Sequence, residues 1–503
     1  MKRYDLIVIG SGAGLMVLEA ALAKGQTCAL VERDELGGTC LNRGCIPSKM
    51  LVYPADLMRE AAEAGRIGVQ LGTPAVDWGI VSERMWQQIR TFNQGIRDSF
   101  ASLPGLDIYH ATASFQDSHT LRLDYADRAA QDLIAGERIV IATGARPWIP
   151  PIEGLETTGY LTTDSFFGAQ YPAAPWKRLV IVGGGAIGAE FAHIFATFGT
   201  EVTLVEMKPH LIPAEETEIS AFVERQFAHH GIRVLTGYKT IAAKADGDAK
   251  VLVVEELSTG KQHAIATDAI FIASGVRSNS DLLHCENAGV ALDARGWITT
   301  NARLETSQPH IYAIGDINGQ YQFRHKANYE ATILSHNLYA GGDMRSACYH
   351  SVPWAIFTWP QVAHVGLTEA QAKQLGLRVW VGKNYYSEVV AGIAMGYTQA
   401  GEDNGFVKVI AGEDKRILGV HIVGPQAAVL VQPFVYLMNA GYACETPYCM
   451  NPQDTHALHL PQEGEACWRT GSLRPIMDSM VIHPSLNELT AWALDHIDWD
   501  HEA

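Results

Sequence analysis

The chain lacks any long hydrophobic run. None of its apolar stretches approaches the ~20 residues that a membrane-spanning helix needs. Basic residues are in deficit, 38 Lys and Arg against 55 Asp and Glu, and the formal charge of −17 argues against nonspecific affinity for nucleic acid or anionic membranes. Cysteine is sparse: eight are spread over 503 residues without framework spacing, which is not the pattern of a disulfide-stapled secreted scaffold. Low-complexity tracts are absent as well. The N-terminal apolar stretch, residues 6–9, follows Asp5 and is too short for the core of a secretory signal, so it reads as a first strand. A composition of 47% apolar and 18% charged residues suits a chain of roughly three globular domains, and a reducing, cytoplasmic setting is expected.

Against this background two cysteines stand out, five positions apart in Gly37-Gly38-Thr39-Cys40-Leu41-Asn42-Arg43-Gly44-Cys45-Ile46-Pro47-Ser48-Lys49. The glycines permit sharp turns and close approach to a ligand. Pro47-Ser48 can open a helix whose positive N-terminal end favours a thiolate over a thiol. Cys45 is thus poised to be anionic; from spacing alone, two cysteines in an ordinary strand-to-helix loop is the competing reading. What precedes the pair favours redox chemistry. Residues 6–9 form an apolar strand, Gly10-Ser11-Gly12-Ala13-Gly14 a glycine turn, a helical pattern runs to Leu22, and a second strand at 27–31 ends at Glu32. Such a unit lets phosphates reach a helix N-terminus while an acid about twenty residues on bonds a ribose hydroxyl. Leu15 occupies the place of the usual third glycine, with Gly14 beside it to relieve crowding. The unit recurs at 179–182, with the complete Gly183-Gly184-Gly185-Ala186-Ile187-Gly188 and a strand at 201–205 leading to Glu206. Two dinucleotides are implied.

The cysteine run resembles the active-site segment of the flavoprotein pyridine nucleotide-disulfide oxidoreductases, and further similarity extends from the first strand to His483. The resemblance implies an α/β fold with two Rossmann-like dinucleotide-binding domains, for FAD and NAD, plus an α+β C-terminal dimerisation domain in a homodimer. Its segments would be 1–150 with 276–348 for FAD, 151–275 for NAD and 349–503 for the interface, with an insertion at about 442–479. It further implies a redox-active Cys40–Cys45 disulfide and an ion pair of Lys49 with Glu190 beside the flavin. Gly10, Gly12, Gly14, Glu32, Thr143, Gly144 and Asp316 would hold FAD; Gly183, Gly185, Gly188 and Glu206 would hold NAD, and Gly275 would be a further cofactor-binding residue. His483, oriented by Glu488 in His483-Pro484-Ser485-Leu486-Asn487-Glu488, resembles the family's catalytic base, which reaches into the partner subunit's site.

Glu206 is followed by Met207-Lys208 and not by an arginine pair. A carboxylate there accepts bonds from a free 2′-hydroxyl and repels a 2′-phosphate, so NAD is expected over NADP. Within the family that points to a dihydrolipoamide dehydrogenase acting on a lipoylated carrier protein or a small dithiol; the rival is a mycothione- or glutathione-type reductase running in the opposite direction. Segments such as Arg324-His325-Lys326-Ala327-Asn328 and Trp354-Ala355-Ile356-Phe357-Thr358 look closer to mycothione reductase. The insertion contains Cys444, Cys449, His456, His459 and Cys467, whose spacing matches no standard zinc pattern, so no metal is expected. It is expected to narrow access to Cys40 and to help dock a carrier. A catalytically vestigial flavin-bearing interaction protein would have lost Cys40, Cys45 or His483, and all three are present.

Overall fold

The apolar runs form the centres of parallel sheets. Lys2–Ile9 pairs in parallel with Cys28–Glu32 on one side and with Gln131–Ile141 on the other. Leu6, Ile7 and Val8 are fully buried, as expected of strands covered on both faces, which read as uninterrupted hydrophobic runs. The sheet continues to Leu106–His110 at one edge and, through antiparallel Thr120–Asp124 and Thr112–Phe115, at the other; Ile311–Ala313 returns to pair with Gln131–Ile141. The structure is a computed structural model and describes residues 1–247, 249–412, 417–439 and 478–483. Of the expected features, Glu488 and nearly all of the insertion, including Cys444, Cys449 and Cys467, lie outside those residues. Among them no helix is long and apolar enough to cross a membrane.

A second parallel sheet, in the order Arg233–Thr236, Glu201–Glu206, Arg178–Val182 and Ala269–Ile272, is built on the repeated unit and carries an antiparallel three-stranded layer, Tyr238–Asp246, Ala249–Glu256 and Gln262–Thr267. The chain enters and leaves this unit side by side, through the antiparallel pair Ala145–Pro147 and Val276–Ser278. From Pro353 onward the strands are antiparallel, in the order Pro353–Ile356, Val362–Gly366, Ile417–Val423, Phe406–Gly412, Val379–Tyr385. Phe406–Gly412 alternates buried and half-buried residues, the period-two pattern of a sheet with one face in a core.

Two local expectations are refined. The helix after the cysteines runs Cys45–Glu63 and so starts two residues before Pro47, with Gly44 at its N-cap. A proline fits in a first turn, where its missing N–H has no intrahelical partner, so Cys45 itself occupies the first helical position. The missing third glycine of the first unit is replaced in effect by Gly14: a Cβ there would lie 2.7 Å from Val8 Cγ1, so this is where helix Gly14–Leu22 meets the strand. In the second unit Gly188 plays that part, since an added Cβ would sit 1.9 Å from the Gly183 carbonyl oxygen. Gly188→Ala should therefore destabilise the second unit by about 1–3 kcal/mol, the usual cost of overpacking. Gly185→Ala, where a Cβ meets nothing within 4 Å, should leave the thermal midpoint unchanged; equal midpoints for both variants would refute the close-packing account.

Candidate active site

Cys40 lies in the short helix Gly38–Asn42 and Cys45 opens Cys45–Glu63, so a tight turn at Arg43-Gly44 folds the two thiols toward each other. Their Sγ atoms and a ring nitrogen of His483 all lie within 4.8 Å of one another, and the cysteines are present as a dithiol. His483 Nε2 is 3.4 Å from Cys40 Sγ. The Cys45 thiol is held well below its ordinary range of 9.0, first by the hydrogen bond from Cys40, against the opposing effect of burial, and then by His483 and Lys49. Buried Cys28 and Cys285 are instead pushed up to about 12, chiefly by burial. Position at a helix N-terminus and neighbouring cations is what separates a reactive thiol from an inert one.

Within the chain described, His483 stands beside Cys40, at the place where the resemblance implies a partner subunit's histidine. Its segment is tied down within the same chain: Gln432 Nε2 donates to the Met480 carbonyl at 3.3 Å, Ile482 N–H donates to Gln432 Oε1 at 3.1 Å, and Ile482 is buried in the interface-domain core.

Lys49, four residues after Cys45, forms an ion pair with Glu190 at 2.5 Å across to helix Ala186–Thr197. The other Glu190 oxygen accepts the Phe357 N–H at 3.0 Å, and Lys49 Nζ stands 4.7 Å from the centre of the Phe357 ring. Behind this pair the buried His193 ring bonds Asp56 at 2.8 Å. Burial raises Asp56, with His193 opposing. Sequence reasoning missed this second pair, although Asp56 is seven residues from Lys49 and His193 three from Glu190, spacings that share a helix face.

Cys40, Cys45, Lys49, Glu190, Phe357 and His483 line one cavity. Gly10, Gly12, Glu32, Thr143, Gly144, Gly275 and Asp316 line it as well. Gly10 is constrained: it has φ +99°, and its Cβ would lie 2.4 Å from the Ala142 carbonyl oxygen. Glu32 accepts from Ser11 N–H (2.9 Å) and Ser11 Oγ (2.7 Å) through one oxygen and from Asp34 N–H (3.0 Å) through the other. The buried Thr143 hydroxyl has no partner, and a Cβ at Gly144 or Gly275 would meet nothing within 4 Å. An extended dinucleotide carrying a flavin fits these features: an unpaired polar atom, a glycine cradle, and a cavity whose lining includes both the Glu32 turn and the dithiol. Asp316 is raised to about 6 by burial, with Lys326 opposing. Its turn is fixed by buried Lys326, which donates to the Gly315 carbonyl at 3.0 Å, and by Glu330, which accepts the Gly315 N–H at 2.7 Å. His325, also on the cavity wall, donates from Nε2 to the Pro353 carbonyl at 2.8 Å, and its Nδ1 has no partner.

Of the second glycine turn, Ala186 and Ile187 also line this cavity. Gly183 has φ +111°, Gly185 caps helix Ala186–Thr197, and Gly188 packs beneath. Glu206 accepts from Gly184 N–H at 2.7 Å and from Lys208 N–H at 2.8 Å, repeating the Glu32 arrangement.

Comparison with known proteins agrees with this geometry. The family model described as pyridine nucleotide-disulphide oxidoreductase matches residues 4–331, and that for its dimerisation domain matches 352–451. Mycothione reductase of Mycobacterium tuberculosis is 34% identical over 453 residues, 88% of this chain and 94% of that protein. Dihydrolipoyl dehydrogenase of Thermus scotoductus is 33% identical over 470 residues, 93% and 98% of the two chains. Among solved structures, the HOCl-induced flavoprotein disulfide reductase RclA from Escherichia coli superposes with a TM-score of 0.75 at 28% identity, over 87% of this chain and 94% of that one. With its dithiol, its paired glycine turns and matches across most of its length, the chain belongs to the pyridine nucleotide-disulphide oxidoreductases, enzymes that use FAD and a pyridine nucleotide.

Proposed function

We propose that this enzyme is a dihydrolipoamide dehydrogenase, oxidising a protein-bound dihydrolipoyl group to its disulfide with NAD as the hydride acceptor, in the cytoplasm and as a homodimer. The observation that carries the choice of nucleotide is Glu206. Its carboxylate is held at the end of its strand by two backbone N–H groups and stands beside the Gly183–Gly188 turn, where a ribose would lie. In this reading residues 1–150 and 276–348 hold FAD, 151–275 hold NAD, and 349–503 form the subunit interface. The mycothione reductase relative favours a second reading, an NADPH-linked reductase of a small disulfide.

The chain's own groups account for the thiol chemistry. In the oxidised enzyme a substrate thiol gives its proton to His483 and attacks Cys40, breaking the Cys40–Cys45 bond and releasing Cys45 as a thiolate. The second substrate thiol then attacks the mixed disulfide; the substrate leaves as a disulfide and Cys40 takes up the remaining proton. Two electrons have entered the enzyme, and two protons rest on His483 and Cys40. Cys45 needs no proton, because the helix N-terminus, Lys49 and the Cys40 hydrogen bond stabilise its charge. FAD, when bound, carries the electron pair from this dithiol to the nicotinamide.

Steady-state turnover with dihydrolipoamide, glutathione disulfide and mycothiol disulfide, each with both nicotinamides, tests the assignment. The expected result is dihydrolipoamide oxidation with at least a tenfold preference in kcat/KM for NAD over NADP, equivalent to about 1.4 kcal/mol. Equal values for the two nucleotides would sink the Glu206 argument, and efficient NADPH-driven reduction of mycothiol disulfide would establish the rival. In the reduced enzyme Cys45 should still be alkylated by iodoacetamide at pH 6, at least tenfold faster than Cys28 or Cys285 by mass spectrometry. A Cys45 rate that fell with pH like an ordinary thiol's would remove the thiolate. Same-chain pairing of His483 with Cys40 also has a direct test. Co-refolding Cys40→Ser with His483→Gln should yield mixed dimers with no recovered activity, whereas recovery toward a quarter of wild type would mean that the histidine crosses between subunits.

A further inference from the structure

Outside the dithiol site, the described residues hold one other cluster of three close ligand-type side chains: Glu215, His364 and His421, all buried. Glu215 lies just before helix Thr217–His229 of the second nucleotide unit, while the histidines stand on neighbouring strands of the C-terminal sheet, Val362–Gly366 and Ile417–Val423. Glu215 Oε1 is 2.7 Å from His364 Nδ1 and Glu215 Oε2 is 2.8 Å from His421 Nδ1.

The remaining ring nitrogens assign the protons. Trp354 Nε1 donates to His364 Nε2 at 2.6 Å, so His364 carries its proton on Nδ1 and is neutral. His421 Nε2 donates to the Leu367 carbonyl at 3.0 Å while Nδ1 donates to Glu215, so His421 is an imidazolium. No ring nitrogen is left with a lone pair for a metal ion, and the cluster is an ion pair with a neutral second donor. The titration tendencies agree. Burial lowers His364; for His421 burial is outweighed by the Glu215 bond and charge, which raise it; and the two histidines, overriding burial, bring Glu215 down to about 2. The other charged groups facing the cluster balance one another. Glu216, 4.0 Å from His421 Nε2, is paired with Lys408, which also meets Glu218 and Glu369; Lys383 pairs with Glu218 and Lys373 with Glu369.

A short loop connects this clamp to the glycine turn. Glu215 N–H donates to the Ile212 carbonyl, and Ile212 N–H donates to the Gly184 carbonyl, both at 2.9 Å. The Leu211 side chain closes on Gly184, where an added Cβ would lie 2.5 Å from Leu211 Cδ2. Ile212 sits at φ +49°, a left-handed conformation that a β-branched residue avoids, and it precedes Pro213. Such a residue persists only where its surroundings over-determine it, here Gly184 on one side and the Glu215 clamp on the other.

We propose that Glu215, gripped by His364 and His421 of the C-terminal domain, is a positioning residue for the pyridine nucleotide: it holds the strained Ile212 loop that sets Gly184 and its neighbours in the dinucleotide turn. The proposal rests on the reading that Gly183–Gly188 binds that nucleotide. It also gives nucleotide affinity a pH dependence with a definite sign. Glu215 stays ionised, and His421, raised above its ordinary 6.5, keeps the clamp intact at pH below its elevated value and releases it as pH rises through that value.

The test is made on the FAD-loaded dimer. Glu215→Gln should raise KM for the preferred nicotinamide five- to tenfold, while anaerobic reduction of the enzyme by dithiol keeps its wild-type rate within twofold. In the wild type, KM for the nucleotide should climb between pH 7 and 9.5. His421→Gln should show a raised KM with a flat profile over that range. An unchanged KM in Glu215→Gln, an equal fall in the dithiol half-reaction, or a flat wild-type profile would each overturn the proposal. The wild-type profile decides the matter should Glu215→Gln fail to fold. Glu206→Ala serves as the control for the underlying reading. If it shifts the nicotinamide KM while Glu215→Gln does not, the clamp alone is wrong; if Glu206→Ala shifts nothing, the assignment of the turn is wrong.

Discussion

The half-buried ion pair of Lys49 with Glu190 is the contact on which the rest of the architecture converges. Lys49 belongs to the helix that begins at Cys45, Glu190 to the helix that follows the second glycine turn, and the Phe357 N–H on the free Glu190 oxygen comes from just past a strand of the C-terminal sheet. Three separately built units therefore meet at one carboxylate. Only 10% of the Glu190 side chain is exposed, so removing Lys49 would strand a nearly buried charge at a cost on the order of a few kcal/mol. The packing around the pair reflects that requirement: the Phe357 ring covers the Lys49 ammonium, and Asp56 with His193 fills the polar space behind it.

Lys49 is also one of the groups that lower the Cys45 thiol in a strongly acidic protein. A net charge of −17 belongs to the whole chain, whereas Cys45 responds to what lies close by: the Cys40 hydrogen bond first, then the His483 ring and the Lys49 ammonium, at the start of a helix. Asp316, the nearby acid, is raised to about 6 by its burial, so it opposes a negative sulfur less than an ordinary carboxylate would.

Much of this was legible in the sequence because it depends on local geometry. A strand running into Gly10 or Gly183 must turn within one residue, and only the φ values that glycine tolerates allow it. Glu32 and Glu206 were legible for the same reason: each ends a strand beside such a turn and there finds an unpaired N–H, that of Ser11 or Gly184. Pro47 misplaced the helix start because a proline marks the first turn without specifying which of its positions it occupies. The Asp56–His193 pair and the buried Lys326 went unread since their partners are fixed by packing between helices, for which a single sequence offers only weak periodic hints. The Gln432 bonds that tether Met480 and Ile482 went unread for the same reason, since they belong to this chain's own tertiary packing.

That C-terminal packing reaches both nucleotide regions. Phe357 and Ala355 line the cavity by the dithiol, while His364, one strand over, and His421, on the next, grip the loop behind Gly184. The strands involved are hydrogen-bonded neighbours, with Trp354 opposite His364 and His364 opposite His421, and the Trp354 indole donates to the His364 ring. A shift of this sheet against the rest of the molecule would therefore alter the Glu190 oxygen that meets Phe357 and the Glu215 oxygens that meet the histidines together. Packed sheets are stiff, since interior side chains interlock at near-crystalline density. The C-terminal sheet is therefore tied both to the Glu190 carboxylate beside the dithiol and to the loop behind Gly184.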